Sequence, residues 1–386
     1  MKNGPFSADF WSSDANHIAL NPHRPDDADG LTEFAEVHQM KSMCFFQTSG
    51  SEGTPKWVGL PKASFLISGR AVNAHFEVTA EDRWLVALPL HHVGGFAIHA
   101  RAHLSGSEVF AAQEAKWEPG ALAKVCEEQG ITLVSLVPAQ VFDLVRDRRM
   151  APACLRAAII GGGGMSQALA DQALELGWRV FQTYGMTEAA SQIATQPYHP
   201  FGAVFDVNSL EILPHWQLGQ DEEGRLIVKG EALARGYAHR ATDGAWSWEA
   251  IDPTLGLRTR DIVRLWDHGT RRFLEFVGRE AGYVKILGEL IHLAPLQARL
   301  EELALAAGWT SMPVIVALPD ERRESRLVMV TESSGAGDGD ALMAKFNSVT
   351  EALCHLNGVR EVAAIPRGGL GKVEMNKLQR QLGDRA

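Results

Sequence analysis

Nine consecutive residues, Thr48-Ser-Gly-Ser-Glu-Gly-Thr-Pro-Lys56, hold the densest set of chemically useful groups in the chain. Thr48, Ser49, Ser51 and Thr54 offer hydroxyls, Gly50 and Gly53 let backbone approach a ligand closely, and Lys56 adds a fixed positive charge. Following the apolar run Met43-Cys-Phe-Phe46, which reads as a buried strand, such a loop can wrap a polyphosphate. It is not a Walker A loop, because that pattern's second glycine would fall on Pro55. Taken alone, it also fits a polar surface turn. A second loaded stretch, Gly368-Gly-Leu-Gly-Lys372, is either a flexible arm able to carry an ammonium into a site or a solvated lysine in a glycine-rich tail. His91, His92, His99 and His103 cluster in sequence, and His99 and His103 have the spacing of one helix face. No cysteine or acid stands near enough to complete a ligand set, which disfavours zinc.

The nine-residue loop resembles the phosphate-binding signature of the AMP-forming adenylating enzymes, the superfamily of acyl- and aryl-CoA synthetases, luciferases and nonribosomal adenylation domains. Further signatures follow in the family's order. Pro89-Leu-His-His-Val-Gly-Gly95 resembles its histidine motif, Gly161-Gly-Gly-Gly164 its adenine-side glycines, and Gln182-Thr-Tyr-Gly-Met-Thr-Glu188 its Tyr-Gly-x-Thr-Glu motif. Arg258-Thr-Arg-Asp261 resembles the Thr-Gly-Asp motif, Gly278-Arg279 through Lys285 and Gly288 the hinge motif, and Pro366 to Lys372 the C-terminal lysine loop. The series spans roughly residues 42 to 380, and its ordering is what makes it specific.

The resemblance implies roles. Glu188 would hold Mg²⁺, Thr187 would bond a phosphate, and Tyr184 with Gly185 would face adenine, against Gly162 and Gly163. Asp261 would accept both ribose hydroxyls and Arg279 would lie near ribose or phosphate. His92 would stand beside the reacting carboxylate; His99, Arg101 and Gly164 would line the acyl pocket. Lys372 would neutralise charge between carboxylate and α-phosphate. Blander alternatives exist for several: Glu188 as an acid on a helix dipole, Tyr184 as a core tyrosine, Asp261 as a cap, Arg279 as a surface ion pair. The expected fold is α/β: a large N-terminal domain over residues 1–279 with a β-rich subdomain, and a small α+β C-terminal lid over 280–386.

The implied reaction is ATP-dependent, AMP-forming ligation of a carboxylic acid to CoA through an acyl-adenylate, with ATP and Mg²⁺ as cofactors and CoA as co-substrate. Within the family, the compact size and the Pro-Leu-His-His-Val-Gly-Gly motif most resemble the o-succinylbenzoate–CoA ligases of menaquinone biosynthesis. Loading of a carrier protein and a non-catalytic nucleotide-binding paralogue are the rival readings. The second is motivated by Glu52 for threonine in the phosphate loop, by the lack of an acid at Ala281 or Gly282, and by the short stretch before that loop; Arg260 for glycine and Glu374 where a basic residue is common are further departures. Only 47 residues precede Thr48, fewer than the family usually carries.

Composition bounds the partners. With 37 basic against 47 acidic residues the net charge is −10, which argues against a nucleic-acid partner. Cys44, Cys126, Cys154 and Cys354 are far apart and mostly in apolar runs, as buried thiols of a reducing compartment would be. No signal peptide or membrane-length apolar run is visible, so a cytoplasmic location without membrane insertion is expected, with a homodimer possible.

Strands at 83–88, 108–111, 131–137, 155–160 and 178–182 alternate with helix-length segments at 94–105, 120–129, 138–148 and 167–176, which predicts crossover units and parallel sheet. Short strands are expected at 210–213, 224–229, 262–266 and 272–277. After Gly278 come helices over 296–307 and 341–356 and strands over 313–318, 326–331 and 359–365.

Overall fold

The apolar run at Met43 forms the second strand of a five-stranded sheet in the computed structural model, which describes residues 6–22, 25–48, 56–111, 117–199, 206–320, 322–333, 337–368 and 371–383. Short helix α1 (Ala8–Ser12) leads into β1 (His17–Ala19), which runs parallel to β2 (Met43–Thr48) after α2 (Leu31–Val37). Strand β2 turns back antiparallel as β3 (Lys56–Pro61), with Thr48 opposite Lys56. The two ends of the expected phosphate loop are thus held side by side. Helix α3 (Lys62–His75) follows directly, and buried Lys62 reaches back to the end of α1, donating to the Phe10 and Ser13 carbonyls at 2.7 and 3.1 Å.

The α/β alternation is present. Strands β4 (Arg83–Val86), β5 (Glu108–Ala111), β6 (Leu133–Leu136), β7 (Ala157–Ile160) and β8 (Val180–Met186) all pair in parallel, in the order β5-β4-β6-β7-β8. The intervening helices are α4 (Val93–Ser105), α5 (Pro119–Gln129), α6 (Pro138–Arg146) and α7 (Gln167–Glu175). Their starts are specified locally: Glu118 accepts from the Gly120 and Ala121 N–H groups, Ser166 accepts from Leu169 N–H, and Pro138 opens α6. Strands buried on both faces explain why the apolar runs are continuous rather than alternating.

At β9 (Ser191–Thr195) the sheet changes direction and pairs antiparallel to β8. Strands β10 (Leu210–Ile212), β11 (Gln217–Gln220) and β12 (Arg225–Lys229) extend it, and β13 (Gly236–Arg240) and β14 (Trp246–Ala250) leave it to join β3. Strands β15 (Leu257–His268) and β16 (Arg271–Arg279) form the hairpin foreseen around Asp267-His-Gly269, longer than its apolar core indicated. Among these strands the sequence reading missed β1, β3, β9, β11, β13 and β14, whose mixed compositions lack a clear period. Where β8 meets β9, a Cβ on Gly185 would overlap the Ser191 carbonyl. Gly185→Ala is therefore expected to cost at least about 2 kcal/mol, since backbone on both strands must move; thermal unfolding at wild-type temperature would remove the argument.

After Arg279 the described strands pair only with one another: β17 (Tyr283–Ile286) with β18 (Glu289–His292), and β19 (Val314–Asp320), β20 (Glu324–Glu332) and β21 (Leu356–Val362) in one sheet. Helices α8 (Leu293–Ala306) and α9 (Gly339–Asn347) pack around Leu300, Leu327 and Phe346, and α10 (Met375–Gly383) packs through Leu378 and Leu382 on the side of Val316 and Val330. The helix expected over 341–356 stops at Asn347. There the Asn347 side chain exchanges two hydrogen bonds with Leu356 backbone, at 2.8 and 3.0 Å, and starts β21 instead. Leu305 and Met312 pack against the apolar layer beneath α5–α7.

Candidate active site

Two clusters form where β8 ends and the sheet changes direction, outside the carboxyl ends of the parallel strands, where α/β sheets bind ligands. The first centres on Asp261. Its register on β15 places it directly opposite Arg279 on β16, and Arg279 Nε donates to Oδ1 at 2.8 Å. Tyr184, from β8, donates its hydroxyl to Oδ2 at 2.6 Å. Burial, with the Asp261 charge second, holds the Tyr184 phenol far above its usual range, so it stays a donor. The Tyr184 ring lies 5.7 Å from Phe276 in a stacked pose. Asp261 is thus neither a cap nor solvated: it is 6% exposed, with lone pairs to spare beyond these two bonds.

Lys372 comes to this cluster from the far end of the chain. Loss of hydration lowers its ammonium below the usual lysine value; Arg279 adds to the effect and Asp261 opposes it. Gly371 sits at φ +71, and a Cβ there would stand 2.9 Å from Ala139 Cβ at the start of α6. Only glycine passes that point unstrained. Gly162, Gly163 and Gly164 follow β7 in an exposed turn nearby, with Gly163 carbonyl accepting from Gln182 Nε2 at 3.0 Å and open space around Gly164.

The second cluster centres on Glu188, in the single 3-10 turn Thr187–Ala189 that ends β8. Lys56 Nζ is 3.6 Å from its Oε1, and the Tyr237 hydroxyl donates to the same oxygen at 3.1 Å. Lys56 also lies 3.5 Å from the centre of the Tyr237 ring. Tyr237 had no signal in the sequence, since it lies in a stretch where no strand was expected. A carboxylate whose recorded contacts fall on one oxygen suits a magnesium ion that takes one or two protein oxygens and completes its shell with phosphate and water. Among the described residues no group of three or more His, Cys, Asp or Glu is arranged to hold a metal ion. Ser49, Gly50, Ser51, Gly53 and Thr54, with Glu52, lie outside the described residues; Thr48 and Lys56 flank them.

Helix α4 separates the histidine motif's residues. His92 is its N-cap, and burial followed by His91 lowers its imidazole to about 4, so it is neutral at pH 7. His99 is 6% exposed, lowered to about 4 by burial, and faces the Phe6 ring at 5.1 Å. Arg101 lies on another side of the helix. It is 2% exposed, donates to Ser191 Oγ at 3.4 Å, lies 5.6 Å from the Trp84 ring centre, and has no partner for Nε. Burial lowers it to about 10, which leaves it charged. His99 and Arg101 therefore cannot meet one small acyl group together without moving.

His92, His99 and His215 all sit near 4 through burial. Between about 6.5 and 4 the unfolded chain binds more protons at these sites than the native one, so stability falls as pH drops through that window. The melting temperature is expected to decline steadily from pH 7 to 4.5, with a shallower slope in His99→Gln. A profile that is flat over that range would contradict the burial.

Residues 9–238, more than half of the chain, match the AMP-binding enzyme family. The chain belongs to that family. Among curated relatives of this AMP-binding protein, the 2-succinylbenzoate–CoA ligase of Bacillus cytotoxicus is 27% identical over 305 residues, covering 72% of this chain and 60% of its own. The chain thus spans about three fifths of that relative's length. The o-succinylbenzoate CoA synthetase of Bacillus subtilis, solved with its acyl-adenylate intermediate, superposes with a TM-score of 0.70 at 22% identity over 87% of this chain and 68% of that one. An anthranilate CoA ligase solved with anthranoyl-AMP gives 0.73 at 15% identity over 89% and 68%. The fold is that of adenylate-forming enzymes. Among the described residues, no helix is long and apolar enough to cross a membrane.

Proposed function

We propose that this protein is an ATP-dependent, AMP-forming carboxylate–CoA ligase acting on an aryl dicarboxylate of the o-succinylbenzoate type. The observation that carries the first part is the convergence of Tyr184, Asp261, Arg279 and Lys372 from β8, β15, β16 and the C-terminal arm. In this reading Asp261 and Tyr184 would take ribose and adenine, and Arg279 and Lys372 would supply two cations where charge grows between carboxylate and α-phosphate. Lys56 and Thr48 flank the triphosphate, Glu188 would hold Mg²⁺, and that ion would neutralise phosphate charge. Neutral His92 at the N-terminus of α4 can accept or donate a hydrogen bond to the acid without adding charge.

The Arg101 environment supports the dicarboxylate. A buried guanidinium with no acidic partner among the described residues is costly, and a substrate's second carboxylate reaching past Ser191 would complete it. The relatives named as 2-succinylbenzoate–CoA ligases agree with this chemistry. We further place the boundary of a mobile lid at 279/280, where the 3-10 turn Glu280–Gly282 joins the two units and can carry the rotation between acyl-adenylate formation and transfer to CoA.

The test is pyrophosphate release from ATP and Mg²⁺ with o-succinylbenzoate, simple benzoates and medium-chain fatty acids, with and without CoA. AMP as the nucleotide product and preference for o-succinylbenzoate are expected. ADP with orthophosphate would reject adenylation; equal use of a monocarboxylate would reject only the dicarboxylate; acyl transfer to a carrier protein but not to CoA would replace the acceptor.

A further inference from the structure

Two groups from two elements meet on Oε1 of Glu188, which the turn after β8 carries: Lys56 from β3 and Tyr237 from β13. Lys56 has one ammonium and two claims on it. In this arrangement it neutralises Glu188, whereas in the adenylation reading it belongs to the triphosphate. Glu188 is only 15% exposed, so once Lys56 leaves, water cannot readily hold the carboxylate in its present pose.

We propose that Tyr237 is a positioning residue that keeps Glu188 aimed at the nucleotide's metal while Lys56 passes from Glu188 to the triphosphate. This rests on the adenylation reading above. A neutral hydroxyl suits the task. It orients the carboxylate through Oε1 at 3.1 Å, yet brings no second positive charge to repel a cation. An ordinary phenol keeps its proton at neutral pH, so the hydroxyl is available as a donor. The ring does a separate job. With Lys56 Nζ 3.5 Å from its centre, it offers the ammonium a seat beside Glu188, which makes the transfer short. Strand β13 pairs with β3 in register, Tyr237 against Val58 and His239 against Lys56, so one rigid ladder fixes tyrosine and lysine relative to each other. Glu188 is tied to the same unit by its own carbonyl, which accepts from Ala234 N–H at 2.8 Å.

Tyr237→Phe removes the hydroxyl and keeps the ring, which separates the two jobs. Calorimetric titration of the full chain with ATP, in Mg²⁺ and again in EDTA, reads the metal-dependent part without needing turnover. Tyr237→Phe is expected to lose about tenfold in ATP affinity with Mg²⁺, as outer partners of metal ligands commonly do, and almost nothing in EDTA. In steady state the KM for MgATP should rise by a similar factor, with kcat at saturating Mg²⁺ little changed. Lys56→Met should weaken ATP in both conditions while its Mg²⁺-to-EDTA affinity ratio stays at the wild-type value or rises. Unchanged affinity of Tyr237→Phe in Mg²⁺, or an equal loss in EDTA, would overturn the proposal. If Tyr237→Phe does not melt cooperatively, Lys56→Met decides: a fall in its ratio would overturn it. A wild-type chain that binds no ATP in either condition would take the adenylation reading with it. Wild-type binding with an indifferent Tyr237→Phe would remove this inference alone.

Discussion

Lys372→Ala is expected to reduce acyl-adenylate formation by roughly 10²–10³-fold, the loss seen when one preorganised donor to a developing anion is removed. Transfer from a supplied acyl-adenylate to CoA should be nearly unaffected. The two half-reactions should separate if the arm moves between them: here Lys372 feels the charges of Arg279 and Asp261 while Gly371 lies against Ala139. With the arm elsewhere, the ammonium stabilises nothing in the transfer step. The depressed ammonium pKa adds a second signature. Adenylation needs the charged form, so its rate should fall on the alkaline side below the ordinary lysine value of 10.5, and this limb should be absent from the transfer step. Rapid-quench measurement of each half-reaction across pH decides the matter. Equal losses in both would mean that the lid does not change places between them.

Arg101→Met should separate stability from activity in opposite directions. Methionine fills much of the same space without a charge, so the melting temperature should hold or rise once a buried, acid-free guanidinium is gone. The kcat/KM for o-succinylbenzoate should nevertheless fall by an amount corresponding to about 2–5 kcal/mol, the usual cost of truncating one member of a desolvated charge pair. Benzoate and fatty acids, which present no second carboxylate, should lose little or gain. A variant that loses stability and activity together would show Arg101 to be a strut between α4, Trp84 and Ser191 rather than a substrate receptor.

The parallel half of the fold was readable because each strand is a continuous apolar run and each helix carries its own start signal, Glu118-Pro119, Pro138 or Ser166. The motif residues Tyr184, Glu188, Asp261 and Lys372 were readable as a set through their order in the chain, and the structure draws Tyr184 and Asp261 into contact. What stayed hidden depends on pairing between distant segments. Strands β13 and β14 exist because β3 offers them an edge, and nothing local announces that edge. Tyr237 became a partner of Glu188 by the same long-range pairing. The sidedness of α4 was hidden too: His99 and Arg101 are two residues apart, and only the packing of Phe6 on one side and Trp84 on the other shows that they diverge. Asn347 ended a helix early through a contact with Leu356 that propensity does not encode.

Lys62 gives the N-terminal segment a chemical address. Its amine is enclosed by the Phe10 and Ser13 carbonyls and the Ser13 hydroxyl, over the Phe10 ring, and burial lowers its pKa. An amine with a lowered pKa holds more of its reactive free base at a given pH, yet here every approach is blocked while α1 is seated. The consequence is a built-in reporter: mild amine acetylation followed by peptide mass mapping should leave Lys62 unmodified while exposed Lys41 is labelled at once. The rate at which Lys62 acquires label then measures how often residues 8–13 lift away from the sheet, in the native protein and without any added probe.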